Sequence, residues 1–203
     1  APAPVAPVMQ MAGAESRIIP DKMPEYVKWG HHSDVERILR SGEFYPIYVT
    51  GLSGNGKTTM ILQAAANAKR TCFRVNITRQ TDESDLIGGF RLVNGDTVWV
   101  DGAAILAAKE GAILLLDEID LGGPALMCLQ PLLEGNAIYV KKTGEWVTPK
   151  PGFTVVATAN TKGKGDETGS FAHTGIMNEA MLDRFPVTLE QPYATEATEK
   201  KIL

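Results

Sequence analysis

Sulfur chemistry is nearly absent from this 203-residue chain, which has two cysteines, Cys72 and Cys128, and no CxxC pair. One lies in a strand-like apolar segment and the other in a helix-like one, and both read as reduced core thiols. Histidine is as scarce: His31 and His32 are adjacent and His173 is far away, so no pair has the helical spacing of a metal site. No protein-only metal centre is therefore expected. No apolar run approaches the roughly 20 residues that span a bilayer, and the N-terminus lacks the charged and apolar regions of a secretory signal. The expected location is cytoplasmic, with no membrane partner. Positive charge is not in excess either; the formal net charge is −4, which disfavours nucleic acid as a partner.

What is present is ordinary for a globular α/β protein: 44% apolar and 22% charged residues. The length suits one domain with a full core. Residues 1–14, APAPVAPVMQMAGA, are rich in Ala and Pro without periodicity and read as a solvated arm or linker. We therefore expect a flexible arm over 1–17 and one domain over 18–203.

Within the domain, a helix is predicted around 33–40, a strand at 47–50 (IYVT), a glycine-rich loop, and a helix to about residue 69. CFRVNI at 72–77 puts Phe73, Val75 and Ile77 on one face, whereas AILLLD at 112–117 is apolar throughout, as a parallel strand covered on both sides should be. FTVVATAN at 153–160 reads as another such strand. Two hairpins interrupt this pattern, one over 90–100 turning at Asn94-Gly95, the other over 137–149 turning near Thr143-Gly144. Strands alternating with helices predict a three-layer α/β fold with a mainly parallel sheet. The charged ending EATEKKIL looks helical.

The loop Gly51-Leu52-Ser53-Gly54-Asn55-Gly56-Lys57-Thr58 matches GxxxxGK[ST]. Its glycines let backbone N–H groups turn inward around phosphate oxygens, and the following helix aims its positive end at the same place. Lys57 would reach the β and γ phosphates, and the Thr58 hydroxyl would ligate Mg²⁺. Thr59 would contribute a helix-start contact or packing. At the end of the 112–117 strand stand two carboxylates. Asp117 would hold the Mg²⁺ shell, and Glu118 would be the general base that polarises an attacking water. Asp120 is expected to cap the next helix. Asn160 could fix the water against the γ phosphate, although Asn at a strand end is also ordinary turn chemistry. Tyr26 and Val27 could line an adenine pocket or the core.

Together these residues resemble the AAA+ ATPases, in particular the MoxR-like group that includes the CobS subunits of aerobic cobaltochelatase. The likeness covers roughly 18–203. It is most specific over 157–185, ATANTKGKGDETGSFAHTGIMNEAMLDRF, and less so over RVNITRQTDESDLIGG at 74–89. The resemblance implies a P-loop NTPase core with a five-stranded sheet, the two hairpins as insertions, and ATP and Mg²⁺ as cofactors. It also implies a homo-oligomeric ring, a hexamer, in which Asn160 is the first sensor and Arg184 an arginine finger presented to a neighbour's ATP, with Asp183 positioning it. On the residues alone, Arg184 is as well explained by a salt bridge to Asp183 or a helix-end contact. Only eighteen residues follow Phe185, too few for the helical lid of the relatives, so the lid is expected to be absent or truncated and no second sensor is named.

By the same resemblance, ATP turnover would drive or reshape a client protein, in the CobS comparison an integrin-like metal-binding subunit in a metal-chelatase-type assembly. One alternative is a DNA-translocating motor, for which Lys141 and Lys142 at a hairpin tip and Lys162 and Lys164 are thin support beside a solvated-loop reading. Another is a nucleotide-gated scaffold, which would need a damaged base or finger, whereas Glu118 and Arg184 are both in place.

Overall fold

The computed structural model describes residues 19–161 and 179–202. In chain order the elements are α1 (His32–Ser41), β1 (Ile47–Thr50), α2 (Lys57–Ala68), β2 (Cys72–Asn76), α3 (Glu83–Leu86), β3 (Gly88–Val93), β4 (Asp96–Asp101), α4 (Ala103–Glu110) and β5 (Ile113–Asp117). After two 3₁₀ turns come α5 (Gln130–Leu133), β6 (Ile138–Val140), β7 (Glu145–Val147), β8 (Thr154–Ala159), α6 (Glu179–Leu182), β9 (Val187–Glu190) and α7 (Glu196–Ile202). The expected arm over 1–17 and the loop lysines Lys162 and Lys164 fall outside the described residues.

Five strands form one sheet in the order β2-β5-β8-β1-β9, and every pairing in it is parallel. The uniformly apolar segments take its centre. In β5, Leu114 and Leu116 face one hydrophobic cluster while Ile113 and Leu115 face another. Tyr48, Val155 and Ala157 join the first cluster, and Ile47, Val49 and Val156 the second. The strict period of two divides one run of leucines and isoleucines between two cores.

Helices α1 and α2 cover the second cluster. His32, Val35 and Leu39 are the buried stripe of α1, spaced as one helix face, and Gly42 ends the helix at φ 72°. The small residues Ala64 and Ala65 of α2, with Met60 and Ile61, lie against the sheet. The first cluster is covered by α3, α4, the 3₁₀ turns and α5, and it also takes the base of the second hairpin through Ile138, Val140 and Val147.

Both predicted hairpins form as two-stranded ribbons apart from the main sheet. Asn94 and Gly95 both have positive φ, 51° and 92°, as the tight turn between twisted strands demands. The strand reading assigned segments to four of the five main-sheet strands. The fifth, β9, is a short edge strand with alternating burial, in which Val187 and Leu189 face the second cluster. Cys72 is buried and Cys128 half-buried, both free thiols, and burial pushes each up to about 12. Among the described residues no helix is long and apolar enough to cross a membrane.

Candidate active site

Strand β1 ends at Thr50 and α2 starts at Lys57, so the residues between must reverse the chain within one loop. Gly51 and Gly56 make that possible. Gly51 has φ 144°, and a Cβ there would stand 2.6 Å from the Gln191 carbonyl oxygen. Gly56 has φ 75°, and a Cβ there would stand 2.8 Å from the Trp29 ring. Each position is closed to other residues by backbone conformation and by space together.

Lys57 is buried and turned back into the loop. Its Nζ donates to the Gly51 carbonyl at 2.6 Å, the Leu52 carbonyl at 2.9 Å, Asn55 Oδ1 at 3.2 Å and Asn160 Oδ1 at 3.2 Å. Burial lowers its pKa, against the raising pull of Asp120, Asp117 and Glu118. Asn55 is buried too, and its Nδ2 donates to the Gln191 carbonyl at 2.6 Å. The Asn55 side chain is therefore engaged within the protein, which leaves its main chain for a ligand. The Ser53 carbonyl accepts the Tyr193 hydroxyl at 3.0 Å. Gly54, at φ 80°, has no atom within 4 Å of a Cβ built on it. Thr59 is half-buried in the first turn of α2.

Thr58, also in the first turn of α2, donates its hydroxyl to Asp117 Oδ1 at 2.8 Å. Thr158 of β8 donates to the same oxygen at 2.5 Å, and its own hydroxyl oxygen accepts the Glu118 N–H at 2.9 Å. Glu118 sits in the left-handed region, φ 59° and ψ 45°, which costs a side-chain-bearing residue about 1–3 kcal/mol and clusters at functional sites. The bend carries Glu118 out of the line of β5, so two consecutive carboxylates occupy different environments: Asp117 is buried and Glu118 half-buried.

Asp120 corrects the expectation of a helix cap. It is fully buried inside a 3₁₀ turn, Ile119–Leu121, and no side-chain cap bond is made at that turn's start. Its Oδ2 accepts the main-chain N–H groups of Asn160 at 3.0 Å and Thr161 at 3.1 Å, and the Thr161 hydroxyl at 3.1 Å. It anchors the chain beyond β8, where Asn160 reaches Lys57. Beside it, the Thr161 carbonyl accepts the hydroxyls of Tyr48 at 3.1 Å and Thr50 at 2.9 Å.

Arg184 follows α6 and forms an ion pair with Glu134 at the end of α5, N to O 2.7 Å. Tyr26 packs on His32 and Trp29, with ring centroids 5.2 and 6.0 Å apart, and burial raises its phenol to about 12. Trp29 meets the glycine loop over Gly56, as the Tyr193 hydroxyl does at Ser53. Gln191 is a second residue that the sequence reading did not single out. Its N–H donates to the Thr50 carbonyl at 2.8 Å, its carbonyl receives Asn55, and its Oε1 accepts the His31 N–H at 3.1 Å. The sequence cue was slight: a polar residue ending an apolar alternation just before Pro192.

The group of oxygens formed by Thr58 and Asp117, set beside a buried lysine at a helix start, has the hard-donor chemistry of a magnesium and phosphate site.

Comparison with known proteins agrees. Residues 46–177 match the AAA domain of the dynein-related subfamily. Over 191 residues the chain is 30% identical to CobS, an aerobic cobaltochelatase subunit from Sinorhizobium sp, covering 91% of this chain and 57% of that protein. It is 36% identical over 117 residues to NorQ from Paracoccus denitrificans, covering 57% of this chain and 43% of NorQ. The chain thus spans about half the length of these curated relatives.

Among solved structures, a candidate ATPase from Cytophaga hutchinsonii aligns with a TM-score of 0.61 at 21% identity, over 85% of this chain and 49% of that one. RuvB from Thermotoga maritima aligns with a TM-score of 0.56 at 18% identity, over 84% of this chain and 46% of RuvB. Those two likenesses speak to the fold alone. With a glycine loop, a Lys-Thr helix start and a paired-carboxylate strand end in one parallel sheet, this chain belongs to the AAA domain family, dynein-related subfamily, and is related to CobS and NorQ.

Proposed function

We propose that the protein binds Mg–ATP at the glycine loop, hydrolyses it within a hexameric ring of its own copies, and uses the turnover to remodel a client protein. The observation that carries this reading is the 2.8 Å hydrogen bond between Thr58 and Asp117. It joins the helix that follows the glycine loop to the strand that ends in Asp117-Glu118, which supports reading these two side-chain oxygens as the Mg²⁺ ligands beside Lys57.

In this reading the main chain of Gly51, Ser53, Gly54, Asn55 and Gly56, with Lys57, Thr58 and Thr59, holds the phosphates. Lys57 exchanges the loop carbonyls it now holds for phosphate oxygens. Thr58 and Asp117 hold Mg²⁺, which when bound supplies charge neutralisation at the phosphates. Glu118 takes the proton of the attacking water, and its left-handed backbone turns it away from the buried Asp117. Asn160, held by Asp120, orients that water. Arg184 serves a neighbouring copy, because its charge must meet the γ phosphate from outside the loop's own shell. The cobaltochelatase relationship supports a metal-chelatase-type assembly as the client class.

The test is steady-state ATPase activity as a function of protein concentration, for the protein and for Arg184→Ala. Turnover per subunit that rises with concentration and collapses in the variant is the expected result. Concentration-independent turnover that ignores Arg184 would mean a self-contained site and no functional ring.

A further inference from the structure

Both carboxylate oxygens of Asp117 are engaged. Oδ1 accepts the hydroxyls of Thr58 and Thr158, at 2.8 and 2.5 Å. Oδ2 accepts two N–H groups of one side chain, Arg74 Nε at 2.9 Å and a terminal guanidinium nitrogen at 2.5 Å. Arg74 comes from β2, the neighbour of β5, where it stands in register with Leu115, two residues before Asp117. Its side chain therefore runs forward along the strand to reach the carboxylate. The Arg74 side chain is about half exposed, 48%, while that of its acceptor is buried, at 3%. An arginine with that much access to water gives up rotamer freedom to hold one buried oxygen at two points. Losing this partner would leave a buried carboxylate oxygen unpaired, which costs stability, so fold stability and cation binding have to be read separately.

We propose that Arg74 is a positioning residue for the divalent cation. By fixing Oδ2 with two donors it keeps Oδ1 turned toward Thr58, and it thereby sets the affinity of the Thr58–Asp117 pair for Mg²⁺. A carboxylate held at one point can swing about its Cβ–Cγ bond; one gripped through a planar fork turns only if both bonds break. The hold extends further, because Thr158 ties Oδ1 to the Glu118 N–H. Repulsion between the guanidinium and the cation is reduced by solvent around the half-exposed side chain, so orientation dominates. Partners that orient a metal-ligating carboxylate typically change metal affinity or activity by about 10–100-fold when removed. Lysine carries the charge but not the fork. This inference rests on the Mg–ATP reading above and adds to it a residue which that reading does not use.

The experiment is calorimetric binding of a non-hydrolysable ATP analogue to the protein, Arg74→Met and Arg74→Lys, first in EDTA and then across a Mg²⁺ titration. The expected result is unchanged affinity in EDTA for both variants, a Mg²⁺ midpoint raised about 10–100-fold in Arg74→Met, and an intermediate midpoint in Arg74→Lys. A midpoint in both variants equal to that of the unsubstituted protein, or below it, overturns the proposal; a lower one would make the guanidinium a competitor of the cation. Should Arg74→Met lose its fold, as judged by circular dichroism, Arg74→Lys alone decides between these results. Failure of the unsubstituted protein to gain affinity with Mg²⁺ is a separate result, which removes the Mg–ATP reading itself.

Discussion

Asp120 accepts the main-chain N–H of Asn160 at 3.0 Å, so the residue that touches Lys57 is fixed in place by a carboxylate from the turn after the neighbouring strand. Replacing Asp120 with Ala leaves three donors, two of them buried, without their acceptor. A stability loss of about 1.5–3 kcal/mol follows for bonds to a charged group, readable as a lower urea midpoint. Asp120→Asn keeps an acceptor oxygen and loses less. Because Asn160 is displaced rather than removed, kcat should fall in Asp120→Ala by more than KM rises.

Lys57 and Glu118 should separate binding from chemistry. Lys57→Ala removes a charge-assisted phosphate contact worth on the order of 2–3 kcal/mol, or about 30–150-fold in Kd. Glu118→Gln keeps the size and the left-handed backbone but not the base; ATP affinity is expected to stay within about threefold while turnover drops by about 10²–10⁴. Equilibrium binding and single-turnover hydrolysis on the same preparations distinguish the two. Normal turnover in Glu118→Gln would remove Glu118 as the base.

Arg184 should matter to activity far more than to the fold. Its ion pair with Glu134 joins an arginine side chain that is 19% exposed to a carboxylate that is 41% exposed, and a partly exposed pair contributes about 1 kcal/mol. An arginine finger is worth about 10³–10⁵ in kcat. Arg184→Ala is therefore expected to melt within a few degrees of the parent while losing nearly all turnover. A comparable drop in both would reduce Arg184 to a structural residue.

Acid should unfold the protein partly through α1. Glu36 accepts from Lys28 at 2.8 Å, Arg40 at 2.6 Å and His32 at 3.0 Å. Hydrogen bonding from Lys28 leads in lowering its carboxyl from 4.5 to about 2, with burial opposing. A depressed carboxyl stabilises the fold above its unfolded pKa, so this contribution is full above about pH 4.5 and is lost as pH falls toward 2. His32 is buried, and desolvation lowers its pKa below 6.5 despite the Glu36 contact. The fold therefore disfavours charging it, and stability declines as pH drops below 6.5. Melting temperatures of the parent and Glu36→Gln should differ by a constant amount above pH 5 and converge below 4.5. Divergence on acidification would contradict the assignment.

The phosphate loop and the 112–117 strand were legible because their signals are local: fixed spacing in one, unbroken apolarity in the other. The two hairpins were legible for the same reason, through Asn94-Gly95 and Gly144. Strand β9 was not located, since Val187 and Leu189 offer only two inward residues on an edge. Asp120 was misread because an acidic residue after a strand is usually a cap, whereas its partners lie forty residues further along. Arg74 and Gln191 were missed for a related reason. Their contacts cross to another strand or to the far end of the chain, as with Gln191 and His31, 160 positions apart, and no local pattern records such a pairing.

Trp29 covers Gly56 so closely that a single added carbon would meet its ring. The other two indoles have different surroundings: Trp99 is buried and bonded to Asp101, and Trp146 stands in solvent on the second hairpin. Any shift of the loop around an incoming phosphate must therefore alter the medium of one fluorophore of the three. With Trp99 and Trp146 replaced by Phe, the emission of Trp29 becomes a built-in optical readout of loop occupancy, able to follow nucleotide arrival and departure in real time without an attached dye.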